Sequence, residues 1–245
     1  MTGTTTMRTL ALILVNAVLA FSSHAEAPAS FQPLFNGKDL RGWEGNTSLW
    51  SVQNGVIDGR TRADAPISTN TFLIWKGAPL KNFELRATFR FLDNNEQRTA
   101  NSGIQYRSKV IDPSGWVVGG YQGDMDAAGR YVGMLYEERG RGILAKPGER
   151  VRLLPGADNK PKIEVIGNAA PKAAVEAAFD RDGWNELIIV ANGNHLRHIL
   201  NGVVTADVID DDPAKGSEAG ILALQLHKGP PMHVQFKEIL LRRLP

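Results

Sequence analysis

Short runs of alternating apolar and polar residues fill this chain from Phe31 to its end. In the run 83–91, Phe83, Leu85, Ala87, Phe89 and Phe91 fall on one side, with Glu84, Arg86, Thr88 and Arg90 on the other. That period of two belongs to a strand with one buried face. Further runs at 50–57, 71–75, 131–141, 184–190, 195–200, 203–208, 220–227 and 233–241 carry the same signature. Asn54-Gly55, Asn192-Gly193-Asn194 and Asn201-Gly202 punctuate them as hairpin turns. The last two turns predict a three-stranded meander. Residues 145–161 read as loop, and the weak helical bias at 169–178 is the one place for a turn or two of helix. Many short strands at regular spacing predict an all-β fold, a two-sheet β-sandwich in a single domain over 31–245.

Two runs break the usual pattern. In Asn101-Ser-Gly-Ile-Gln-Tyr-Arg107, Gly103, Gln105 and Arg107 alternate with Ile104 and Tyr106. In Gly119-Gly-Tyr-Gln-Gly-Asp-Met125, Gln122 and Asp124 share a face opposite Tyr121, Gly123 and Met125. Each predicts a strand with one face to the core and a polar face open to a ligand, and the glycines leave room for close approach. In 221–227, Leu222, Leu224 and Leu226 turn inward, which sets Gln225 and His227 together on the other face. Charged residues alternating along a strand are also the ordinary solvent face of a sandwich, so this reading competes with a plain one.

The N-terminus follows a different rule. Arg8 precedes an apolar run from Leu10 to Phe21, and Ser23-His24-Ala25 has the small residues of a cleavage site. This predicts a signal peptide over 1–25 and a short tether over 26–30, with either Met1 or Met7 as the start. The 245 residues include no cysteine, which excludes disulfides, thiolate metal sites and a lipidated cysteine. The expected location is the periplasm or the exterior, with no membrane contact after cleavage. With 28 basic and 26 acidic residues there is no basic run to favour nucleic acid.

Proton transfer needs paired ionisable groups, and Asp124, Glu137 and His227 are the candidates for it. Asn101, Gln105, Arg107, Gln122, Arg139 and Gln225 suit hydroxyl and carbonyl groups, and Tyr121, Tyr136 or Trp116 could stack on a sugar ring. The acids Asp210-Asp-Asp212 form either a solvated turn or a calcium site. No phosphate loop, nucleophile elbow or metalloprotease helix occurs, so no nucleotide or redox cofactor is expected.

A set of motifs in order then resembles a known family. Leu34–Trp43 (LFNGKDLRGW), Asn82–Arg86 (NFELR), Asn101–Ile104 (NSGI), Gly120–Gln122 (GYQ), Trp184-Asn185, Leu200–Gly202 (LNG) and Gly220–His227 (GILALQLH) are similar to the secreted 3-keto-disaccharide hydrolase domain family. The resemblance spans the chain from about Phe31 onward. It implies a concanavalin-like jelly roll and a small carbohydrate substrate, a glycoside oxidised at C3. The reaction implied is elimination and hydration or direct hydrolysis. Asp124 or His227 would be the base, Arg107 or a divalent ion the electrophile, and Glu137 the acid. The commoner family text has Glu after the tyrosine, where Gln122 stands here. The same fold also serves non-catalytic carbohydrate-binding modules, the alternative reading.

Overall fold

A computed structural model describes residues 1–3, 30–92, 96–157 and 160–245. Apart from its first three residues, the proposed leader lies outside the described residues, as does its cleavage site. In chain order the elements are β1 (Gln32–Pro33), β2 (Trp43–Glu44), β3 (Trp50–Gln53), β4 (Val56–Arg60), β5 (Thr71–Trp75) and β6 (Phe83–Leu92). Then come β7 (Asn101–Asp112), β8 (Val117–Asp126), β9 (Leu135–Glu138), β10 (Gly142–Ala145), β11 (Glu149–Leu154) and β12 (Lys162–Asn168). After the helix α1 (Lys172–Ala178) follow β13 (Asn185–Asn192), β14 (His195–Leu200), β15 (Val203–Asp210), β16 (Ile221–Leu226) and β17 (His233–Arg243).

Two sheets face each other as a sandwich. One has the order β12-β11-β15-β14-β13-β6-β17-β4-β3, with β1 beside β17; the other runs β10-β9-β8-β7-β16-β5-β2. Pairing is antiparallel except between β11 and β15. On β6 the five alternating apolar residues are buried and the core receives them. Side chains such as Phe83, Phe89 and Phe236 are fully enclosed, each contributing about 1.5–3 kcal/mol of burial. Asn54-Gly55 and Asn201-Gly202 take positive φ at both residues, the requirement of a tight hairpin turn whose twist suits its strands. The meander is β13-β14-β15.

Residues 145–161 are not simply loop. Val151 and Leu153 are buried on β11, which lies between β12 and β15. Flanking Pro and Gly hid a strand only six residues long. The run 131–141 is likewise not one strand. It becomes β9 and a tight turn in which Arg139 takes φ 54° and Gly142 φ 82°.

Candidate functional site

The outer face of the seven-stranded sheet is where polar side chains gather. Ile104, Tyr106, Tyr121 and Met125 turn into the core, so their neighbours turn outward. The register then aligns those neighbours across strands. Gln105 is opposite Gln122 and Gly103 opposite Asp124. Gln122 is opposite Tyr136 and Gly120 opposite Glu138. Ala223 is opposite Gln105 on the far side, and two residues on from it Gln225 is opposite Phe72.

Hydrogen bonds link this floor into one network. Gln105 Nε2 lies 2.6 Å from Gln122 Oε1. Gln122 Nε2 lies 2.6 Å from Asp124 Oδ1 and 3.4 Å from Gln225 Oε1. Gln225 Nε2 reaches Glu138 Oε2 at 3.4 Å, and Asn70 Nδ2 donates to both Glu138 oxygens at 3.2 and 3.3 Å. Asn101 also hydrogen-bonds Asp124. Asn70 in turn accepts from the Lys228 amide at 2.9 Å, which anchors the loop carrying His227. Gly103 makes room for this network rather than for a ligand directly. A Cβ there would stand 2.5 Å from Gln122 Cδ.

The carboxyl groups of the floor have amide partners rather than cations. Burial holds Asp124 well above the usual carboxylate range; Gln122 opposes the shift, while the neighbouring Asp126 and Glu138 charges add to it. Burial also raises Glu138, against the pull of Asn70, Arg139, His227 and Gln225. Tyr136 is pushed up by burial and by both carboxylates, so its phenol stays a neutral donor at any working pH. His227 is half-buried at the rim, within electrostatic reach of Glu138. Arg139 is exposed on the same rim and donates to Thr69 Oγ1 at 2.8 Å. A cleft of about 590 Å³ opens at one edge of this floor, where Glu138, Arg139, Ser108 and Gly120 line it together with Arg107, Glu137 and Arg141.

Three residues expected on this polar face lie off it, although Arg107 and Glu137 still border the cleft. Strand β7 slips register after Tyr106, and Arg107 takes φ 45° at the irregularity. Its guanidinium therefore leaves the face of Gln105 and bonds Lys81 O (2.8 Å), Gly193 O (2.7 Å) and Ser217 O (3.2 Å), tying loops at the sandwich edge. Tyr121 points to the core side, stacks on Tyr106 and donates to Asp210. Glu137 sits on that same side, 2.7 Å from Arg141, which also holds Asp210 at 2.6 Å. Nor do the three acids converge on an ion, as Asp210 and Asp212 face Arg141 while Asp211 faces Arg152. Among the described residues no group of three or more His, Asp or Glu side chains is arranged to hold a metal. Trp116 packs on Phe72, Ile74, Val118 and Ala223, covering the apolar half of the outer face.

The family described as the 3-keto-alpha-glucoside-1,2-lyase-like domain matches residues 30–242. The chain belongs to this family. No curated protein matches the sequence. Among solved structures, a glycosyl hydrolase-like protein of Parabacteroides distasonis is 18% identical at a TM-score of 0.54, over 88% of this chain and 100% of that one. The carbohydrate-binding module CBM66 of Bacillus subtilis is 14% identical at 0.51, over 82% and 95%. A galectin-like protein of unknown function from the same species is 10% identical at 0.53, over 89% and 96%. These likenesses establish the sandwich and jelly-roll class of the fold.

Reading the sequence missed Glu138, Asn70 and Ser108 as floor residues of this family member. Glu138 had a signal: it lies two residues from Tyr136, so alternation assigns both to one face and Glu137 to the other. Asn70 precedes β5 and meets Glu138 only through the fold, and nothing local marks it.

Proposed function

We propose that the protein is an exported enzyme that cleaves 3-keto-glycosides by elimination across C1 and C2. The observation that carries this reading is the pair Asp124 and Glu138, two buried carboxyl groups with amide partners on a polar sheet face. A sugar-binding surface needs no such pair, since binding rests on stacked rings and neutral hydrogen bonds. The rings of Tyr121 and Trp116 pack against other side chains, which leaves Tyr136 as the ring on this floor.

The chemistry follows from the ketone. A carbonyl at C3 acidifies the C2 hydrogen, and a base removes that proton to give an enolate. The electron pair then forms the C1–C2 double bond as the C1–O bond breaks, and the leaving oxygen takes a proton from an acid. Water added across the double bond later restores the free sugar. His227 is assigned the C2 proton, with Glu138 beside it to balance the imidazolium charge. Asp124, raised by burial, is assigned the proton for the leaving group. Arg139 on the rim is assigned the developing enolate oxygen. Amides of Asn70, Asn101, Gln122 and Gln225 hold the two carboxyls in place.

The test is to incubate the purified protein with a 3-keto-disaccharide and, separately, with the parent disaccharide. Release of the aglycone sugar from the keto compound alone, lost in Asp124→Asn and His227→Ala, is the expected result. Binding of either sugar without release would assign the chain to the binding modules instead. Repeating the reaction with a chelator checks the Arg139 assignment, because a rate that collapses would give the ketone oxygen to a divalent ion. Export is checked by fractionating cells that express the full chain.

A further inference from the structure

The amide chain beneath Asp124 has a direction, and the protein backbone sets it. The terminal amide of Gln105 can be placed in two orientations related by a half-turn, which exchange oxygen and nitrogen. With nitrogen toward Gln122, its oxygen accepts from Ser108 Oγ at 2.7 Å. It also faces the backbone carbonyls of Tyr121 and Gly120, at 3.2 and 3.3 Å, neither of which can donate. Turned over, the same amide donates to Ser108 Oγ and Tyr121 O, and Ser108 donates to Tyr106 O at 2.9 Å. All of these atoms are enclosed, with Gln105 at 0% exposure. The first orientation presses the oxygen against two carbonyls and gives the amide nitrogen one acceptor. The second gives both its N–H groups acceptors, and a buried donor left unmet costs about 1–3 kcal/mol. The turned orientation therefore wins.

Its consequence runs outward along the chain. Gln105 now offers an oxygen to Gln122 at 2.6 Å, so Gln122 must answer with its nitrogen. The Gln122 oxygen then lies 2.6 Å from Asp124 Oδ1. Two oxygens at that separation need a hydrogen between them. We propose that Asp124 carries its proton in the free protein, donated to Gln122, and that Gln105 and Ser108 are positioning residues which hold it there. This rests on the proposed function for its meaning, since it makes Asp124 an acid and excludes it as the initial base.

Giving up the proton reverses the chain. An ionised Asp124 calls for the Gln122 nitrogen, whose oxygen then calls for the Gln105 nitrogen, which leaves the Gln105 oxygen with the Ser108 hydroxyl but pressed against two carbonyls. The groups facing Asp124 do not all act in one sense: the two acids favour the proton, and Asn101, which donates to the carboxyl, opposes it. Asp126 on its own strand and Glu138 on β9 are acidic, and Tyr136 on β9 is neutral. Asn101 on β7 donates, and the rim charge of His227 falls on Glu138. Turning Gln122 also sets its oxygen 3.4 Å from Gln225 Oε1, so the Gln225 amide on β16 turns with it and offers nitrogen, giving up its own 3.4 Å link to Glu138.

The test is a carbon-detected NMR titration of the full chain labelled at aspartate carboxyl carbons, without sugar. The Asp124 resonance is the one that disappears in Asp124→Asn. It is expected at the protonated position at pH 7. Gln105→Leu removes the demand on Gln122 and should lower the Asp124 midpoint by about one unit or more, the worth of one hydrogen bond to a charged group. Gln105→Glu, which can offer an oxygen to Gln122, should retain it. An ionised Asp124 at pH 7 in the wild-type protein overturns the proposal, and that measurement needs no folded variant. An unmoved midpoint in a folded Gln105→Leu protein overturns the role of the chain. Because no sugar is present, failure here is separable from failure to cleave a 3-keto-disaccharide.

Discussion

Two polar clusters share strands β8 and β9 and differ by one residue in register. Tyr121 and Glu137 face the interior with Arg141 and Asp210, while Gln122 and Glu138 face outward with Asp124 and Asn70. Both clusters are buried, yet they solve burial in opposite ways. In the inner knot one guanidinium, that of Arg141, is shared by the carboxylates of Glu137 and Asp210, with Asp212 close by. In the outer floor neutral amides partner the carboxyls, so burial is resolved by moving the proton equilibrium instead. A paired knot fixes geometry between β9 and β15. A floor of carboxyls with raised proton affinity keeps chemistry available.

The largest expected effect comes from breaking the knot. Arg141→Met leaves Glu137 and Asp210 buried without a cation, at a cost of about 3–5 kcal/mol. Urea unfolding of the two proteins measures it, and a loss below about 1 kcal/mol would remove the contrast between the clusters. Asp124→Asn should do the reverse. The shape and most hydrogen bonds survive, so near pH 4, where both side chains are neutral, stability should stay within about 1 kcal/mol, while turnover of a 3-keto-disaccharide falls by about 10²–10⁴-fold with the acid gone. Thermal unfolding beside initial rates separates these outcomes.

Proton linkage gives a subtler comparison. Asp124 binds its proton more tightly in the folded than in the unfolded state, where the group titrates near its ordinary value of 3.8. The stability it contributes is fully present below that value and is lost as pH rises through the raised folded-state range. His198, buried beneath Tyr106, works against this trend. Its folded value is pushed down to about 4, so its contribution is lost as pH falls from about 6.5. The wild-type minus Asp124→Asn difference in unfolding free energy isolates the first effect. It should decline from pH 4 to pH 7, and a flat difference would mean that Asp124 ionises normally.

How much of this was legible depended on whether the strand stayed regular. The run 83–91 obeys period two throughout, and every inward residue was readable. Alternation also placed Gln105, Gln122 and Asp124 on one face. It failed at Arg107, because a register slip with a left-handed residue leaves no mark in the sequence of a long arginine-containing strand. Glu137 and Glu138 are adjacent acids, and only the parity set by Tyr136 tells which of them faces outward. Tyr121 was chosen for its ring although the same parity set it against Gln122. Asn70, Ser108 and the Gly103 clearance depend on which strands become neighbours across the sheet, and no local pattern carries that.

The smallest expected effects come from the two tyrosines that mark the clusters. Tyr121→Phe removes a hydroxyl that donates to Asp210 and accepts from the Ser217 amide at 3.1 Å. The buried partners lose a bond they cannot replace, at about 1–3 kcal/mol of stability, with the rate on a 3-keto-disaccharide nearly unchanged. Tyr136→Phe removes a half-buried hydroxyl at the edge of the floor, so unfolding should move by less than about 1 kcal/mol. If that phenol binds sugar, KM rises several-fold while kcat and its pH profile stay in place, since a neutral donor contributes binding but no proton transfer. A variant pair with the effects exchanged, Tyr121 altering KM and Tyr136 altering stability, would place the sugar on the inner side of β8 and overturn the assignment of faces on which the whole comparison rests.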